Sequence, residues 1–213
     1  MKSKVPNSVT FHRKVAKRFI LVTFLLISSG CVKQVSFPGI GVEPFFGEPP
    51  KTLKAVARVK LLSKNIKGRA RVELKTPDKV RIEVLDPLGR VIFVIAGEAE
   101  KCTLYNDGIL KTCKWDDPAL GFFINSRELY SLLTGRVVGE WKKIEGKKDG
   151  FVRLKREGGI FSPVLSLGNF REIEGLVIPF TIEIKNNGDT LTLEYLKAVI
   201  NPTLKNDRFS LGQ

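Results

Sequence analysis

From Leu53 onward, apolar and polar residues alternate along the chain with a period of two. This alternation is typical of antiparallel β-sheet that has one buried face and one solvated face. In "LKAVARVKL" and "ARVEL" the apolar positions are Leu53, Ala55, Ala57, Val59, Leu61, Ala70, Val72 and Leu74. Arginine, lysine and glutamate fill the alternate positions, so the pattern predicts strands with a dry face and a wet face.

The stretch "VLDPLGRVIF" predicts a hairpin, because Asp86, Pro87 and Gly89 are preferred residues of a type I turn at their positions. With Pro87 and Leu88 as loop residues, every cross-strand pair is apolar. The predicted pairs are Val84 with Val91, Ile82 with Phe93, and Val80 with Ile95. These six side chains form one face, which either lines a cavity or fills a solid core. Leu88 is left exposed at the tip. Burial of a leucine side chain is worth about 1.5 to 3 kcal/mol, and Leu88 gains this free energy only if it is buried against a surface outside the fold.

Three further turn sequences predict hairpins. In "NNGD" the loop residues Asn187-Gly188 are a strong hairpin signal. That register pairs Ile184 with Leu191 and Ile182 with Leu193. "YNDGIL" and "KKDGFV" predict hairpins around Asp107-Gly108 and Asp149-Gly150.

The hairpin around Asp107-Gly108 places Cys102 directly opposite Cys113. Directly opposed strand residues lie within the Cα distance that a disulfide accepts. We expect the bond to form in an exported protein, and to contribute about 2 to 3 kcal/mol. The alternative is two reduced strand cysteines.

One helix is predicted, in "NSRELYSLLTG". Asn125 can act as N-cap with Glu128 three residues later, and Gly135 is a natural stop. Its apolar stripe is Leu129, Leu132 and Leu133, which act as a lid or as ordinary packing. About ten strands with one or two helices inserted mid-chain predict a mainly β protein, a strongly curved sheet or open barrel against which a helix packs.

The N-terminus predicts export. Residues 1–30 combine six basic residues and no acidic one with the apolar run "FILVTFLLI", which is the pattern of a signal peptide. Small residues lead into Cys31, and this resembles the lipobox of bacterial lipoproteins, where the cysteine is lipidated. The alternative is an ordinary cleaved signal peptide. Residues 31–51 are rich in proline and glycine and predict a tether, with the globular domain at 52–213.

The net charge of the chain limits the classes of partner that it can bind. The chain carries 36 basic and 22 acidic residues, so removing residues 1–30 lowers the formal net charge from +14 to +8. A basic surface suits anionic lipid or nucleic acid on charge alone. Because an exported protein rarely meets nucleic acid and no recognition motif is present, we expect a membrane partner and no nucleic acid.

The mature chain lacks the residues that most catalytic mechanisms need. The only histidine, His12, lies in the predicted signal peptide. Ser-His and Cys-His nucleophiles and histidine metal sites are therefore missing from the mature chain. Asp116 and Asp117 form a possible carboxylate pair, but "WDDPALG" favours an N-cap and turn. We expect no enzyme activity, no cofactor and no metal.

The order of these segments resembles a known family. "GRARVELKTPDKVRIEVLDPLGRVIFVI", followed by "FFINSRELYSLLTGRV", resembles LolB, the outer-membrane receptor in lipoprotein sorting. The later stretches "EIEGLVIPFTIEI" and "LKAVINPTLKNDRFSL" are similar to the wider group that includes the periplasmic carrier LolA. The resemblance covers about residues 52–211, and departs from the family at Phe122, Phe123 and Ile124, where prolines are usual.

The resemblance implies an unclosed antiparallel β-barrel with a helical lid over an apolar cavity for acyl chains. It implies an outer-membrane, lipid-anchored monomer facing the periplasm, whose partners are membrane lipid, acylated lipoprotein cargo and a LolA-like carrier. It also gives Leu88 the role of delivering cargo into the membrane. The expected cavity residues are Val80, Ile82, Val84, Val91, Phe93, Ile95, Leu129, Leu132 and Leu133. Alternatives are an envelope scaffold lipoprotein with a filled core and a carrier of another lipid or glycolipid.

Overall fold

The computed structural model describes residues 49–62, 66–115, 117, 124–138, 141–144, 150–156, 162–186 and 188–211. The predicted signal peptide, the lipidation residue Cys31, the tether up to residue 48 and most of "WDDPALG" lie outside the described residues. None of the helices in the described ranges has the length and apolar content needed to cross a membrane.

In the described part of the chain, eleven strands form one antiparallel sheet. The strands are β1 (Thr52–Leu61), β2 (Ile66–Lys75), β3 (Lys79–Leu85), β4 (Val91–Glu98), β5 (Lys101–Asn106), β6 (Ile109–Lys114), β7 (Trp141–Lys143), β8 (Val152–Arg156), β9 (Val164–Ile173), β10 (Leu176–Asn186) and β11 (Asp189–Ile200). Their order across the sheet is β6-β5-β4-β3-β2-β1-β11-β10-β9-β8-β7. The edge strands β6 and β7 do not pair in the described residues, which confirms the predicted unclosed barrel of mainly β structure.

The predicted helix is confirmed as α1 (Ser126–Leu133). Asn125 caps it, because its side chain accepts the backbone N–H of Glu128 at 2.8 Å. Gly135 ends it at φ 76°. The Glu128 side chain is used elsewhere, since it makes no bond back to the cap and instead contacts Arg156 at 3.1 Å.

The inner face of the sheet packs against α1, and its apolar side chains are buried on the central strands β3, β2, β1 and β10, whereas the edge strand β6 is mostly exposed. The predicted apolar positions of β1 and β2 are all buried there. The helix packs mainly against β3, β4 and β10. The alternation therefore identified the buried face correctly.

Two predicted registers are confirmed and one is wrong. Between β10 and β11, Ile184 lies opposite Leu191, and between β5 and β6 Cys102 lies opposite Cys113, both as predicted. Between β3 and β4 the register is shifted by two residues, so that Val84 faces Phe93 and Ile82 faces Ile95.

The shift has two local causes. The loop contains three residues, because the N–H of Asp86 donates to the Arg90 carbonyl and Gly89 adopts φ 82°. A β-bulge then leaves Ile92 as an extra residue between the pairs Leu85 with Val91 and Val84 with Phe93. Together they return Phe93 to its predicted face and remove Val91 from it.

The outer face is not uniformly wet. A 3-10 helix, Asn206–Phe209, packs over β3 and β4, and Glu73 and Glu83 are buried beneath this C-terminal segment. The Nε of Arg208 donates to Glu73, and Arg81 donates to the Arg208 carbonyl at 2.7 Å. Burial raises the pKa of Glu83, but the hydrogen bond and charge of Arg81, with Arg208 and Arg71, bring it below its ordinary value.

In the β7–β8 pair, Trp141 lies opposite Arg156. This bears out a fourth hairpin, although Asp149 of its predicted turn lies outside the described residues.

Candidate functional site

The β3–β4 hairpin presents Leu88 to solvent, with 79% of the residue exposed. Asp86 Oδ1 holds the loop by accepting the N–H groups of Leu88 at 2.8 Å and Arg90 at 2.9 Å. Arg90 Nε donates to Oδ2 at 2.7 Å. The Arg90 backbone and side-chain bonds hold the pKa of Asp86 below its ordinary value despite some desolvation. The tip is therefore a closed, self-bonded loop with its leucine outward.

A narrow apolar cavity of about 90 Å³ lies between α1 and the inner face of the sheet. It is lined by Val59, Leu61, Ile66, Ile82, Val84, Phe93, Ile95, Trp115, Ile124, Leu129, Ile184, Leu191 and Leu193. Every lining residue is hydrophobic. An apolar cavity of this kind stays dry and accepts hydrocarbon in preference to water.

The cavity occupies one half of the inner face, which we call the tip half. It runs from the middle pair of Ile82 with Ile95 toward the hairpin end, where Leu61 pairs with Ile66. The other half, which we call the closed half, has Leu53 paired with Leu74 and is fully packed. Cavity and exposed Leu88 thus lie toward the same end of the sheet.

Five of the nine expected cavity residues line the cavity. They are Ile82, Val84, Phe93, Ile95 and Leu129. Val80, Leu132 and Leu133 are buried in the solid core of the closed half instead. The placement of Val91 in the cavity is wrong, because the three-residue loop and the bulge turn it toward a separate open groove, which Arg81 and Val94 also line.

Several lining residues were not among the expected cavity residues. Leu61, Ile66, Leu191 and Leu193 come from β1, β2 and β11, and their period-two positions carried the signal. Trp115 is the first residue of the "WDDPALG" stretch and Ile124 lies three residues after it, where no periodicity marks either residue.

Side-chain bonds hold α1 over the cavity. The buried Glu128 carboxylate accepts the Trp141 indole N–H at 3.1 Å and pairs with Arg156, which ties the helix to β7 and β8. Ser126 Oγ donates to the Ala99 carbonyl at 2.6 Å, next to β4. Tyr195, whose pKa is raised by burial, donates to the Leu133 carbonyl at 3.0 Å. The helix is thus bonded to both sides of the open sheet.

The tip end also carries exposed apolar and basic side chains. Leu62 is 50% exposed and Ile109 is 59% exposed, on the hairpins that flank Leu88. On the outer face of β1 and β2, Lys60 lies directly opposite Lys67, and Arg58 opposite Arg69. Like charges in direct opposition destabilise a sheet, and the charge of Arg58 is offset within the sheet by Glu194 at 3.3 Å.

The predicted disulfide is present between Cys102 and Cys113, whose Cα atoms are 4.9 Å apart. It joins β5 to β6 at the edge of the sheet. Within the described ranges, no group of three or more histidine, cysteine or acidic side chains is placed to hold a metal ion.

Comparisons with known proteins give structural likenesses only. No protein-family model matches the chain, and no curated protein matches it either. Among solved structures, a domain named for outer membrane lipoprotein sorting from Vibrio parahaemolyticus is 10% identical, with a TM-score of 0.47 over 74% of this chain and 88% of that one.

Two further structures are similar at the same level. A DUF1329 family protein from Desulfovibrio piger is 9% identical, with a TM-score of 0.47 over 76% of this chain and 90% of that one. A LolA superfamily protein from Nitrosomonas europaea is 11% identical, with a TM-score of 0.42 over 79% and 93%.

Proposed function

We propose that this chain is a lipid-anchored outer-membrane lipoprotein receptor that accepts acyl chains in its cavity and delivers them to the membrane. The observation that carries the proposal is the wholly apolar cavity under α1, on the same end of the sheet as the exposed Leu88. An acyl chain is the ligand class for a cavity whose lining side chains carry no charge. Cys31 is the proposed lipidation site.

The size of the cavity sets how cargo enters. At about 90 Å³ it is smaller than a cavity of roughly 150 Å³ that accommodates benzene. It therefore admits the end of one acyl chain as it stands. A longer chain requires α1 to move away from β3 and β4, and Leu129 is the helix residue that such a chain would displace.

Delivery needs no covalent step. Hydrocarbon passes from the cavity into the bilayer because the bilayer offers a larger apolar volume. Leu88 gains about 1.5 to 3 kcal/mol if it is buried in the bilayer, which brings the cavity to the membrane surface. Lys60, Lys67 and Arg69 then face anionic headgroups. A LolA-like periplasmic carrier would supply the acylated cargo, and the receptor would act as a monomer.

The packed closed half favours one alternative, a scaffold lipoprotein with a filled core. Mass spectrometry of the gently purified full chain, together with uptake of an apolar fluorescent probe, distinguishes the receptor from the scaffold. We expect bound acylated species and saturable probe binding. Absence of both would contradict the receptor, whereas bound glycolipid without acylated protein would favour a carrier of another lipid.

A pair of matched variants locates the binding. Val59→Phe places a larger side chain in the cavity wall and should block probe uptake. Val199→Phe makes the same change at an exposed outer-face position and should leave uptake unchanged. Equal uptake by both variants would show that the probe binds elsewhere.

A further inference from the structure

Trp115 forms the wall between two different environments. It follows β6, its backbone N–H donates to the Glu100 carbonyl at 3.2 Å, and only 3% of the residue is exposed. It lines the apolar cavity on one side. It also lines a polar groove of about 490 Å³, together with Asn125, Ser126 and Arg127.

The indole nitrogen of Trp115 is a buried donor without a hydrogen-bond partner in the described part of the chain. Among the described residues, no acceptor lies in hydrogen-bonding geometry with its Nε1. The other tryptophan, Trp141, has its Nε1 bonded to Glu128 at 3.1 Å. Buried donors are almost always paired in native proteins, so an unpaired donor at a cavity wall points to a ligand acceptor.

We propose that the Trp115 indole N–H binds the carbonyl oxygen of an acyl ester or amide. The hydrocarbon of that group lies in the cavity, and its polar remainder lies in the groove beside Asn125 and Arg127. We assign a neutral carbonyl as the acceptor, because the cavity side of Trp115 has no charged side chain and the groove side carries charges of both signs, Lys114 and Arg127 beside Glu100 and Glu128. This deepens the proposed function and rests on it, since it requires an acyl chain in the cavity.

The chain's two tryptophans allow a direct test, with Trp141 as internal control. The full chain, labelled with ¹⁵N-tryptophan and held in lipid nanodiscs, is titrated with ethyl butanoate or with octane, an alkane of equal heavy-atom number. Binding of the ester should move the Trp115 indole proton signal downfield as the hydrogen bond forms. Octane should bind without that shift, and Trp141 should stay in place with both probes.

Affinity measurements on variants give the second readout. Trp115→Phe should weaken ester binding about 2- to 10-fold, which is the range for loss of one hydrogen bond, and leave octane binding equal or tighter. Trp141→Phe should change neither affinity. The phenylalanine keeps an aromatic ring in the wall and removes an unpaired donor, so the fold should tolerate it.

The outcomes separate this inference from the proposed function. If ester and octane both bind but Trp115→Phe affects them equally, or no Trp115 shift appears, the carbonyl contact is wrong and the acyl cavity stands. If neither probe binds the unmodified chain, both proposals fail.

Discussion

The two halves of the inner face use the same strands and the same alternation, yet one is solid and the other hollow. In the closed half, Leu132 and Leu133 of α1 fill the space against the sheet. In the tip half, Leu129 covers the sheet together with Trp115 and Ile124, and a cavity remains. The difference lies in which helix side chains reach each half, not in the strands.

This comparison separates stability from function within one surface. Side chains in the closed half hold the helix to the sheet, whereas those in the tip half leave the volume that a ligand needs. Selection for a solid core would fill both halves, because every unfilled volume costs packing contacts. The retained cavity is therefore consistent with binding.

A matched pair of leucine-to-alanine substitutions should show that truncation costs more stability in the closed half than in the tip half. Leu132→Ala empties a fully packed site and should lower the free energy of unfolding by about 2 to 5 kcal/mol. Leu129→Ala removes a half-buried side chain that already borders the cavity, and should cost about 1 kcal/mol. Urea denaturation measures both, and equal losses would break the distinction between the halves. Leu129→Ala should also bind a longer apolar probe.

Loss of the bonds that hold α1 over both halves should cause the next largest decrease in the free energy of unfolding. Glu128→Gln removes the charge that pairs with Arg156 while keeping an acceptor for Trp141, and should cost about 1 to 3 kcal/mol. The control is Glu194→Gln, which breaks an exposed pair with Arg58 and should cost at most about 1 kcal/mol. If thermal unfolding shows equal losses, Glu128 does not anchor the helix.

Local patterns in the sequence were enough to predict much of the fold. Alternation located the buried faces of β1 and β2, and Asn187-Gly188 set the β10–β11 register. Opposition across the Asp107-Gly108 hairpin predicted the bond between Cys102 and Cys113. Each depends on residues close in sequence, where turn chemistry determines the pairing.

Features that the local sequence patterns do not encode were missed. The β3–β4 register needed a bulge at Ile92, which the turn sequence does not encode. The burial of Glu73 comes from Arg208, far along the chain. The division of the inner face into solid and hollow halves depends on the position of the helix. Period-two alternation cannot show that position, so it predicted both Val80 and Ile82 as cavity residues.

At the tip, a substitution should affect cargo delivery strongly and the free energy of unfolding very little. Leu88→Glu should change the free energy of unfolding by less than about 0.5 kcal/mol, because the side chain is exposed. It should nevertheless abolish delivery of acylated cargo to vesicles, since a charged tip resists entering the bilayer. Ile109→Glu, at an exposed apolar site on the neighbouring hairpin, is the control and should retain most delivery. Unfolding by Leu88→Glu would place the tip in the core.

The smallest expected effect is a response to pH confined to the tip. Because the folded pKa of Asp86 lies below its ordinary value of 3.8, its bonds to the loop favour the folded tip fully above that value. The contribution is lost as pH falls through the folded pKa. ¹³C NMR should therefore show the Asp86 carboxyl titrating below 3.8, with faster exchange of the Leu88 amide over the same range. Asp86→Asn should remove the pH dependence at Leu88, while resonances of Ile82 and Ile95 stay fixed, because the cavity walls are held by pairing within the sheet and not by the tip.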